Sequence, residues 1–315
     1  MMGPATVAQS ALDPAGPQAA QLNHLWWVMF WVCTAVFVIV IAIIAAAVLR
    51  RKAEPTPERV LTGSVAFGVA ATVAILFALL VVSFITGRAV ASTVDAGAVT
   101  IAITGQQWWW NVEYVDPNAP SLRVRTANEI HIPVGRPIVF NLASHDVIHS
   151  FWVPNLHGKR DLIPGYQTSF WLQADRPGVY RGQCAEFCGH EHALMAFYVT
   201  AESDAEFKGW LAAQRRPAVE PSSDLTRRGQ ELFLKSTCTQ CHTIRGTIAG
   251  AALGPELTHV ASRGSIGAGT LSNTREHIER WVRDPQMVKP GNRMPPNAMS
   301  GDDLQALSAY LESLK

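Results

Sequence analysis

Soft metal ligands are concentrated in one short segment of the chain, residues 184–195. Cys184 and Cys188 are followed by His192 and Met195. Thiolate and thioether sulfurs favour copper or iron–sulfur chemistry, and imidazole also suits copper. Zinc is the alternative, because two cysteines and a histidine could hold it with one further ligand. Zinc seldom uses methionine, whereas copper redox sites place one in a weak axial position, so the segment favours copper.

The second cysteine of this segment decides between a single copper ion and a pair. A single blue-copper site takes one cysteine, two histidines and a methionine. Here Cys188 lies four residues after Cys184, and two thiolates so placed can bridge two copper ions with one histidine terminal on each. The second histidine must come from another segment. A bridged pair in a rigid frame rearranges little when its charge changes, so this site would transfer electrons rather than bind substrate.

A second cysteine pair has the spacing of a covalent haem attachment site. Cys238 and Cys241 are followed directly by His242, the Cys-x-x-Cys-His pattern of c-type haem. In an outward-facing domain a disulfide is the simplest alternative for either cysteine pair. A thioredoxin-like site would need a βαβ setting, and a zinc site would need a second ligand pair. Neither is present, so the pattern indicates haem.

A haem held by histidine on one side needs a ligand on the other. The candidates are Met287, Met294 and Met299. Met294 is favoured because Pro295 and Pro296 hold the following chain extended. Histidine–methionine ligation raises the potential of the haem iron.

Two long apolar segments precede these sites. Charged residues make up 16% of the chain, against about 25% in typical soluble domains. No charged residue occurs at 25–49 or at 60–87, and each segment exceeds the roughly 20 residues that a membrane-spanning helix needs. The sequence therefore predicts two transmembrane helices in a lipid bilayer, with Cys33 as a buried thiol without a role.

Positive charges predict the orientation of these helices. The loop at 50–59 holds four Lys or Arg residues, whereas residues 1–24 hold none. Because positive loops stay in the cytoplasm, the N-terminal segment and everything after Arg88 should face outward from a bacterial plasma membrane. The net charge is +1 and no basic run occurs, which argues against a nucleic-acid partner.

The exported part divides into a β domain, a linker and a helical domain. Residues 97–214 show short alternating segments separated by Gly and Pro turns, which predict a Greek-key β-sandwich or barrel. Strands are expected near 99–103, 122–132, 137–143, 149–153, 168–173, 178–183 and 196–200, and a helix at 201–214. Two prolines and a lack of periodicity mark 215–223 as a linker. A leucine stripe near the C-terminus indicates that 224–315 form a small helical domain.

The segment 184–195, read as Cys-x-Glu-x-Cys-x-x-x-His-x-x-Met, resembles the dinuclear copper A site of the cytochrome c oxidase subunit II family. The segment 146–154 is similar to the stretch that carries that family's remaining histidine ligand, which here is His149. The resemblance implies a cupredoxin-like barrel. It also implies two bridging cysteines, two terminal histidines and two weak axial ligands, which are Cys184, Cys188, His149, His192, Met195 and the backbone carbonyl of Glu186.

The same resemblance assigns two further side chains. The Glu186 carboxylate would help to hold a magnesium ion shared with subunit I of the oxidase. The segment beginning Gln107-Trp108 resembles a family segment whose first tryptophan receives the incoming electron, so Trp108 takes that role. Barrel core and membrane-interface anchoring are the alternatives for the tryptophans at 108–110. Asp146 and Asp161 are assigned either to the subunit I interface or to the plain surface. Structural hydrogen bonds are expected for His131, His145, His157, His190, His259 and His277.

The C-terminal domain is similar to class I cytochromes c. The run 289–295 resembles that family's methionine-ligand loop, and 253–255 resembles the loop whose proline carbonyl orients the haem histidine. Gly229 and Phe233 opposite Tyr310 and Leu311 resemble the crossing of its first and last helices.

Together the resemblances imply an electron-input subunit of a caa(3)-type haem-copper oxidase, which carries two copper ions and one haem c. Subunit I, a subunit III, and cytochrome c or another electron donor would be its partners. A copper A subunit of a nitric oxide reductase-type complex is the alternative, because the partner subunit decides the reaction. A copper-delivery protein is a further alternative, but it would need neither Met195 nor a haem.

Overall fold

The computed structural model describes residues 7–50, 56–91, 99–115 and 123–315. Two compact units make up the chain, one of residues 18–92 and the other of residues 1–17 together with 93–315. The second unit contains both the β domain (residues 99–214) and the C-terminal domain (residues 224–315).

The first unit consists of two long apolar helices, α1 (Pro17–Leu49) and α2 (Glu58–Val90). Their large apolar side chains are exposed within the unit, Phe37 by 66% and Phe67 by 76%. A soluble core helix would bury such side chains, so these helices suit a bilayer. Both are longer than the predicted spans 25–49 and 60–87, because the flanking polar residues also favour helix and Pro17 suits a first helical position.

The β domain is built from two sheets packed face to face. The first has the order β5 (Glu129–Pro133), β11 (Ala196–Glu202), β10 (Gly178–Cys184), β7 (His149–Trp152) and β8 (Arg160–Leu162), and β1 (Val7–Ala8) also pairs with β10. The second has the order β4 (Val124–Ala127), β3 (Trp109–Val115), β2 (Thr100–Gln106), β6 (Ile138–Ser144) and β9 (Thr168–Leu172). Alternate side chains point between the sheets, where Trp110, Phe140 and Phe151 form a continuous buried cluster.

The segment predicted as one strand at 122–132 is two strands, and residue 122 lies outside the described residues. Strand β4 ends at Ala127 and β5 begins at Glu129, with Asn128 between them at φ 61°. The chain changes sheets here, because β4 pairs with β3 and β5 with β11. Asparagine tolerates this left-handed conformation, and its side chain also accepts a hydrogen bond from the Trp110 amide at 2.8 Å. Alternation of residue types could not reveal the break.

Helix α3 (Asp204–Gln214) closes the β domain, and it begins three residues later than the predicted helical stretch at 201–214. Residues 201–202 still belong to β11. Ser203 caps the helix through a reciprocal pair of bonds with Glu206, which is a strong start signal.

The C-terminal domain contains α4 (Asp224–Lys235), α5 (Arg275–Arg283), α6 (Gly301–Ser313) and a small hairpin of β12 (Ser265–Ile266) and β13 (Leu271–Ser272). Helices α4 and α6 cross at Gly229, where an added Cβ would lie 2.1 Å from the Ala306 carbonyl oxygen. Phe233 meets Tyr310 edge to face, with 6.2 Å between ring centroids. The predicted crossing of the first and last helices is therefore present.

Candidate copper and haem sites

Adjacent strands of the first sheet bring the separated copper-ligand segments together. Strand β7 begins at His149, β10 ends at Cys184, and the two strands pair with Cys184 opposite Phe151. The backbone then continues the pairing, as the Ala185 amide donates to the Ser150 carbonyl at 3.0 Å. Residues that are far apart in sequence thus share one edge of the barrel.

Two cysteine sulfurs form the centre of this site. Cys184 Sγ and Cys188 Sγ lie 3.7 Å apart, and each residue is 3% exposed. The metal-binding atoms of His149, Cys184 and Cys188 all lie within 4.8 Å of one another. Since both sulfurs are unpaired with any other cysteine, the disulfide alternative is not the arrangement found here.

The remaining predicted ligands surround this pair. His149 Nδ1 lies 3.9 Å from Cys184 Sγ, and His192 Nδ1 lies 3.6 Å from Cys188 Sγ. Met195 Sδ is 3.8 Å from Cys188 Sγ, and the Glu186 carbonyl oxygen is 3.2 Å from Cys184 Sγ. One imidazole therefore faces each sulfur. Each sulfur also has a weaker metal ligand beside it, which is the Glu186 carbonyl at Cys184 and the Met195 thioether at Cys188. This set of two thiols, two imidazoles and a thioether, buried except for the half-buried His192, suits copper.

The protons of the two thiols are coupled. Sharing a hydrogen bond with the Cys188 thiol lowers the pKa of Cys184, and the same contact raises the pKa of Cys188. One thiolate is thus favoured even before a metal contributes its charge. Thiolate is the form that binds metal.

Asp146 orients His149. The Nε2 atom of His149 lies 2.8 Å from Asp146 Oδ1, and since a carboxylate can only accept, Nε2 carries the proton. The lone pair of Nδ1 is then directed at the sulfurs, the usual way in which a carboxylate fixes a metal-binding histidine. Burial opposes the charged imidazole, but the contacts with Cys184 and Asp146 outweigh it and raise the pKa of His149.

The Glu186 side chain lies at the surface of the β domain. It is 45% exposed and accepts a hydrogen bond from Lys159 at 3.0 Å. Lys159 also donates to Asp161 at 2.8 Å. A role of Glu186 in magnesium binding stays a prediction.

Trp108 lies directly against the copper-ligand loop, residues 184–195. Its indole Nε1 donates to the Cys188 carbonyl at 2.9 Å, and the side-chain Nε2 of Gln107 donates to the same oxygen at 2.9 Å. Gly189 adopts φ 108°, a conformation that favours glycine, and an added Cβ there would lie 3.2 Å from the Trp108 ring. Trp110 is fully buried, so the three tryptophans divide between core and site.

The predicted haem residues line a cavity of about 680 Å³. Cys238, Cys241 and His242 line one part of it and Met294 also lines it. Its size falls within the roughly 300–1,000 Å³ range of cofactor pockets. The predicted attachment residues and the predicted sixth ligand therefore face one common space.

His242 is held ready to bind a metal. Its Nδ1 atom lies 2.7 Å from the Pro255 carbonyl oxygen, so Nδ1 is the protonated nitrogen and Nε2 is the free one. Burial lowers the pKa of His242, against the effect of the Pro255 bond, and this favours the neutral form. At Gly254 an added Cβ would lie 2.7 Å from the imidazole, so only glycine allows this loop its close approach.

The three methionine candidates differ in their surroundings. Met287 is 73% exposed, and Met299 packs on the apolar core of the C-terminal domain. Met294 lines the cavity, and its amide is fixed by the Asn292 side chain at 2.8 Å. The geometry therefore favours Met294.

Two functional candidates had not been identified from the sequence. Lys289 is 2% exposed and reaches from the C-terminal domain into the β domain. Arg293, also in the C-terminal domain, contacts Gln107 and Asp146. Their only sequence signal is their place in the run before Met294.

Comparisons with known proteins follow the same division of the chain. The family "Cytochrome C oxidase subunit II, periplasmic domain" matches residues 118–202, and the family "Cytochrome c" matches residues 226–315. The predicted cupredoxin-like barrel and small cytochrome c domain are thereby confirmed.

Two curated relatives are similar over much of their length. Cytochrome c oxidase subunit 2 of Alkalihalophilus pseudofirmus is 39% identical over 97% of this chain and 91% of that protein. The protein of the same name from Bacillus subtilis is 32% identical over 69% of this chain and 63% of that protein. Among solved structures, the periplasmic domain of subunit II of cytochrome oxidase from Bradyrhizobium japonicum is 30% identical, with a TM-score of 0.36, covering 39% of this chain and 97% of that one.

Proposed function

The chain belongs to the cytochrome c oxidase subunit II family, and on that premise we propose that it is the electron-input subunit of a respiratory terminal oxidase. In this proposal an electron from cytochrome c or an equivalent donor reaches the haem of the C-terminal domain, then the copper pair of the β domain, and finally subunit I. The observation that carries the proposal is the pair of buried sulfurs 3.7 Å apart, each faced by one imidazole.

The β domain supplies a rigid and dry frame for the metal. Copper, when bound, provides the place where an electron is held. Cys184, Cys188, His149 and His192 would hold the copper, and Met195 with the Glu186 carbonyl would be the weaker ligands. Asp146 keeps the His149 tautomer fixed. Because Cys184, Cys188 and Met195 are buried in the apolar core, little solvent would reorganise around them when the charge of the site changes.

The C-terminal domain plays the equivalent part for the haem. Haem, when attached, provides the first place where an electron is held. Cys238 and Cys241 would hold the haem through thioethers, and His242 and Met294 would bind its iron. The Pro255 carbonyl holds the proton on His242 Nδ1, which leaves Nε2 free for the iron.

Helices α1 and α2 would anchor the subunit in the bacterial plasma membrane with both domains outside. We also propose that the Glu186 carboxylate helps to hold magnesium at the contact with subunit I, and that a subunit III completes the complex. Oxygen uptake by the complex purified with its large subunit would separate an oxidase from a nitric oxide reductase.

Metal analysis of the full chain tests the copper proposal. We expect two copper atoms and one haem for each chain. Cys188→Ser should remove copper binding while haem content stays unchanged, since the haem residues lie in the other domain. Cys33→Ser is the matched control and should keep both cofactors. A single copper atom, or zinc, in properly loaded wild-type protein would contradict the proposal.

A further inference from the structure

We propose that Lys289 is a positioning residue that fixes the haem-ligand loop, residues 289–294, against Trp108 and the copper-ligand loop. The inference rests on the proposed function, because it concerns how the C-terminal domain is held as an internal electron donor. It adds a residue to which neither the spacing of the ligands nor the family comparisons assign any role.

The ammonium group of Lys289 bonds to both domains. Its Nζ donates to the carbonyl oxygens of Trp108 at 2.7 Å and of Leu194 at 2.8 Å, both in the β domain. A third and longer bond of 3.4 Å reaches the Gly267 carbonyl of the C-terminal domain. Leu194 directly precedes the predicted copper ligand Met195. One side chain therefore connects the haem-ligand loop with the backbone at Trp108 and with the copper-ligand loop.

Because this charge is buried, it requires hydrogen-bond partners in fixed positions. An ammonium group has three donors, and the three carbonyls match them. A buried charge is costly unless it is paired and hydrogen-bonded, and Lys289 is 2% exposed. Glu191, 4% exposed in the copper-ligand loop, supplies a compensating negative charge. Burial lowers the pKa of Lys289 to about 8, and Glu191 acts in the opposite direction.

Further hydrogen bonds join the C-terminal domain to the β domain near Lys289. Arg293 lies 3.4 Å from Asp146 and 3.2 Å from the Gln107 side-chain oxygen. The Ala196 amide donates to the Ala268 carbonyl at 3.0 Å, and the Gly264 amide donates to the Glu129 carboxylate at 2.8 Å. These last two bonds cross between the domains without using Lys289, so they can report on docking independently.

The docked loop also determines what can reach Trp108. Trp108 is half-buried, and Trp108 and Trp109 form part of the wall of the cavity that holds Cys241 and His242. Trp108 therefore faces the haem residues of its own chain. An external donor would deliver its electron to the C-terminal domain and not to Trp108 directly.

Hydrogen exchange on the full-length chain tests the role of Lys289. Lys289→Met removes the ammonium group and keeps the length of the side chain. Lys235→Met is the matched control, because Lys235 is exposed and pairs with Glu231 of its own helix. In the Lys289 variant we expect exchange at the Ala196 and Gly264 amides to be about tenfold faster or more, since charged hydrogen bonds that hold the docked state are lost. The control should exchange like the wild type.

Two exchange results would overturn the proposal. One is wild-type exchange at both amides in Lys289→Met. The other is faster exchange throughout residues 224–315, because that would assign Lys289 to the stability of the C-terminal domain alone. This measurement reports amide protection and not metal or haem content, so it separates a failure of the inference from a failure of the proposed function, which metal analysis reports.

Electron transfer within the loaded protein provides the second readout. After rapid photoreduction of the haem, we expect the transfer from haem to copper to be slower in Lys289→Met by about tenfold or more. Reduction of the haem by an external donor should keep its wild-type rate, which a general loss of structure would not preserve. Wild-type transfer between the centres would also overturn the proposal.

Discussion

Exposure separates the methionines that could complete the haem site. Met294 lines the cavity with His242, whereas Met287 is 73% exposed on the surface. Both residues lie in the same segment, so they form a natural pair for substitution. The choice of sixth ligand therefore depends on the position of a single side chain.

We expect Met294→Leu to lower the haem reduction potential and to slow reduction of the haem by an external donor by about tenfold or more. A thioether axial ligand raises the potential of the haem, and leucine offers no sulfur. Met287→Leu should leave the potential unchanged. Redox titration monitored by haem absorption measures both variants. Equal potentials in the two variants and the wild type would assign the sixth position to another residue.

At this scale the sequence identified candidate ligands because each has a distinctive chemistry and most lie at a short spacing, and their binding roles stay predictions. The four other predicted copper ligands lie around the Cys184–Cys188 sulfur pair, and the four predicted haem residues line one cavity. Lys289 was not predicted, because its partners Trp108 and Leu194 are far away in sequence and use backbone carbonyls. Any residue type presents a carbonyl, so no pattern of side chains marks such a contact.

Among the elements, the crossing of α4 and α6 depends on a glycine. An added Cβ at Gly229 would meet the Ala306 carbonyl oxygen at 2.1 Å and Tyr310 Cβ at 2.7 Å. We expect Gly229→Ala to lower the free energy of unfolding of the C-terminal domain by about 1–3 kcal/mol, because the helices must move apart.

Gly209 of α3 is the matched control for this substitution. It is also a helical glycine, but an added Cβ would meet nothing within 4 Å. Gly209→Ala should therefore leave stability unchanged or raise it by up to about 1 kcal/mol. Thermal unfolding followed by haem absorption and by far-ultraviolet circular dichroism measures both. A loss of stability in the Gly209 variant as large as in the Gly229 variant would contradict the packing argument.

A buried ion cluster joins β5, β11 and α3 and makes their packing sensitive to pH. His131 Nε2 lies 3.1 Å from Glu129 and Nδ1 lies 2.9 Å from Glu202, and the ring stacks on Trp210. Burial opposes the charged imidazole, but the two carboxylates raise the pKa of His131. Burial likewise opposes the Glu129 carboxylate, yet His131, the Gly264 amide and Arg263 lower its pKa.

The direction of each pKa shift determines the pH range in which the ion cluster stabilises the β domain. The histidine contribution is complete below the ordinary histidine pKa of about 6.5 and is lost as pH rises through the raised value. The Glu129 contribution is present above about 4.5 and is lost as pH falls through the lowered value. The cluster should therefore stabilise the β domain most between these two values.

We expect His131→Gln to lower the free energy of unfolding at pH 6 by about 2 kcal/mol and to flatten its decline between pH 6 and 9. His277→Gln, at a histidine bonded to the Ser272 carbonyl of its own segment, should keep the wild-type pH dependence. Denaturant unfolding across this range provides the measurement. Parallel pH curves for the His131 variant and the wild type would show that the cluster does not titrate as argued.

Fold prediction at the element level succeeded where hydrophobic patterns are periodic and failed where the chain changes sheets. The two apolar helices, most of the strands and the helical C-terminal domain follow from residue patterns. The break at Asn128 does not, because residues on both sides keep a strand-like alternation and only the three-dimensional pairing differs. The hydrogen bond from Trp110 to Asn128 that fixes the break joins residues of different strands.

In the molecule as a whole, the linker is less free than its composition predicts. Proline and the absence of periodicity indicate a tether at 215–223. In the structure the Arg216 carbonyl oxygen lies 3.0 Å from His259 Nε2, and the Ala218 amide donates to the Arg245 carbonyl at 2.9 Å. The first part of the linker thus lies on the C-terminal domain. Direct docking through Lys289 and Arg293 then holds the two domains together in one compact unit.

Lengthening the linker distinguishes docking from tethering. If the tether alone sets the encounter of the two domains, inserting about twenty Gly and Ser residues after Pro221 roughly triples its length and lowers the effective concentration about fivefold. If docking sets the distance, haem-to-copper transfer stays within about twofold of the wild-type rate, because the docked state is still the populated one. We expect the second result. The same insertion combined with Lys289→Met should restore dependence on linker length, since the docked state is then weakened. Flash-induced electron transfer at moderate ionic strength measures all three proteins, and a several-fold loss from the insertion alone would show that the tether sets the rate.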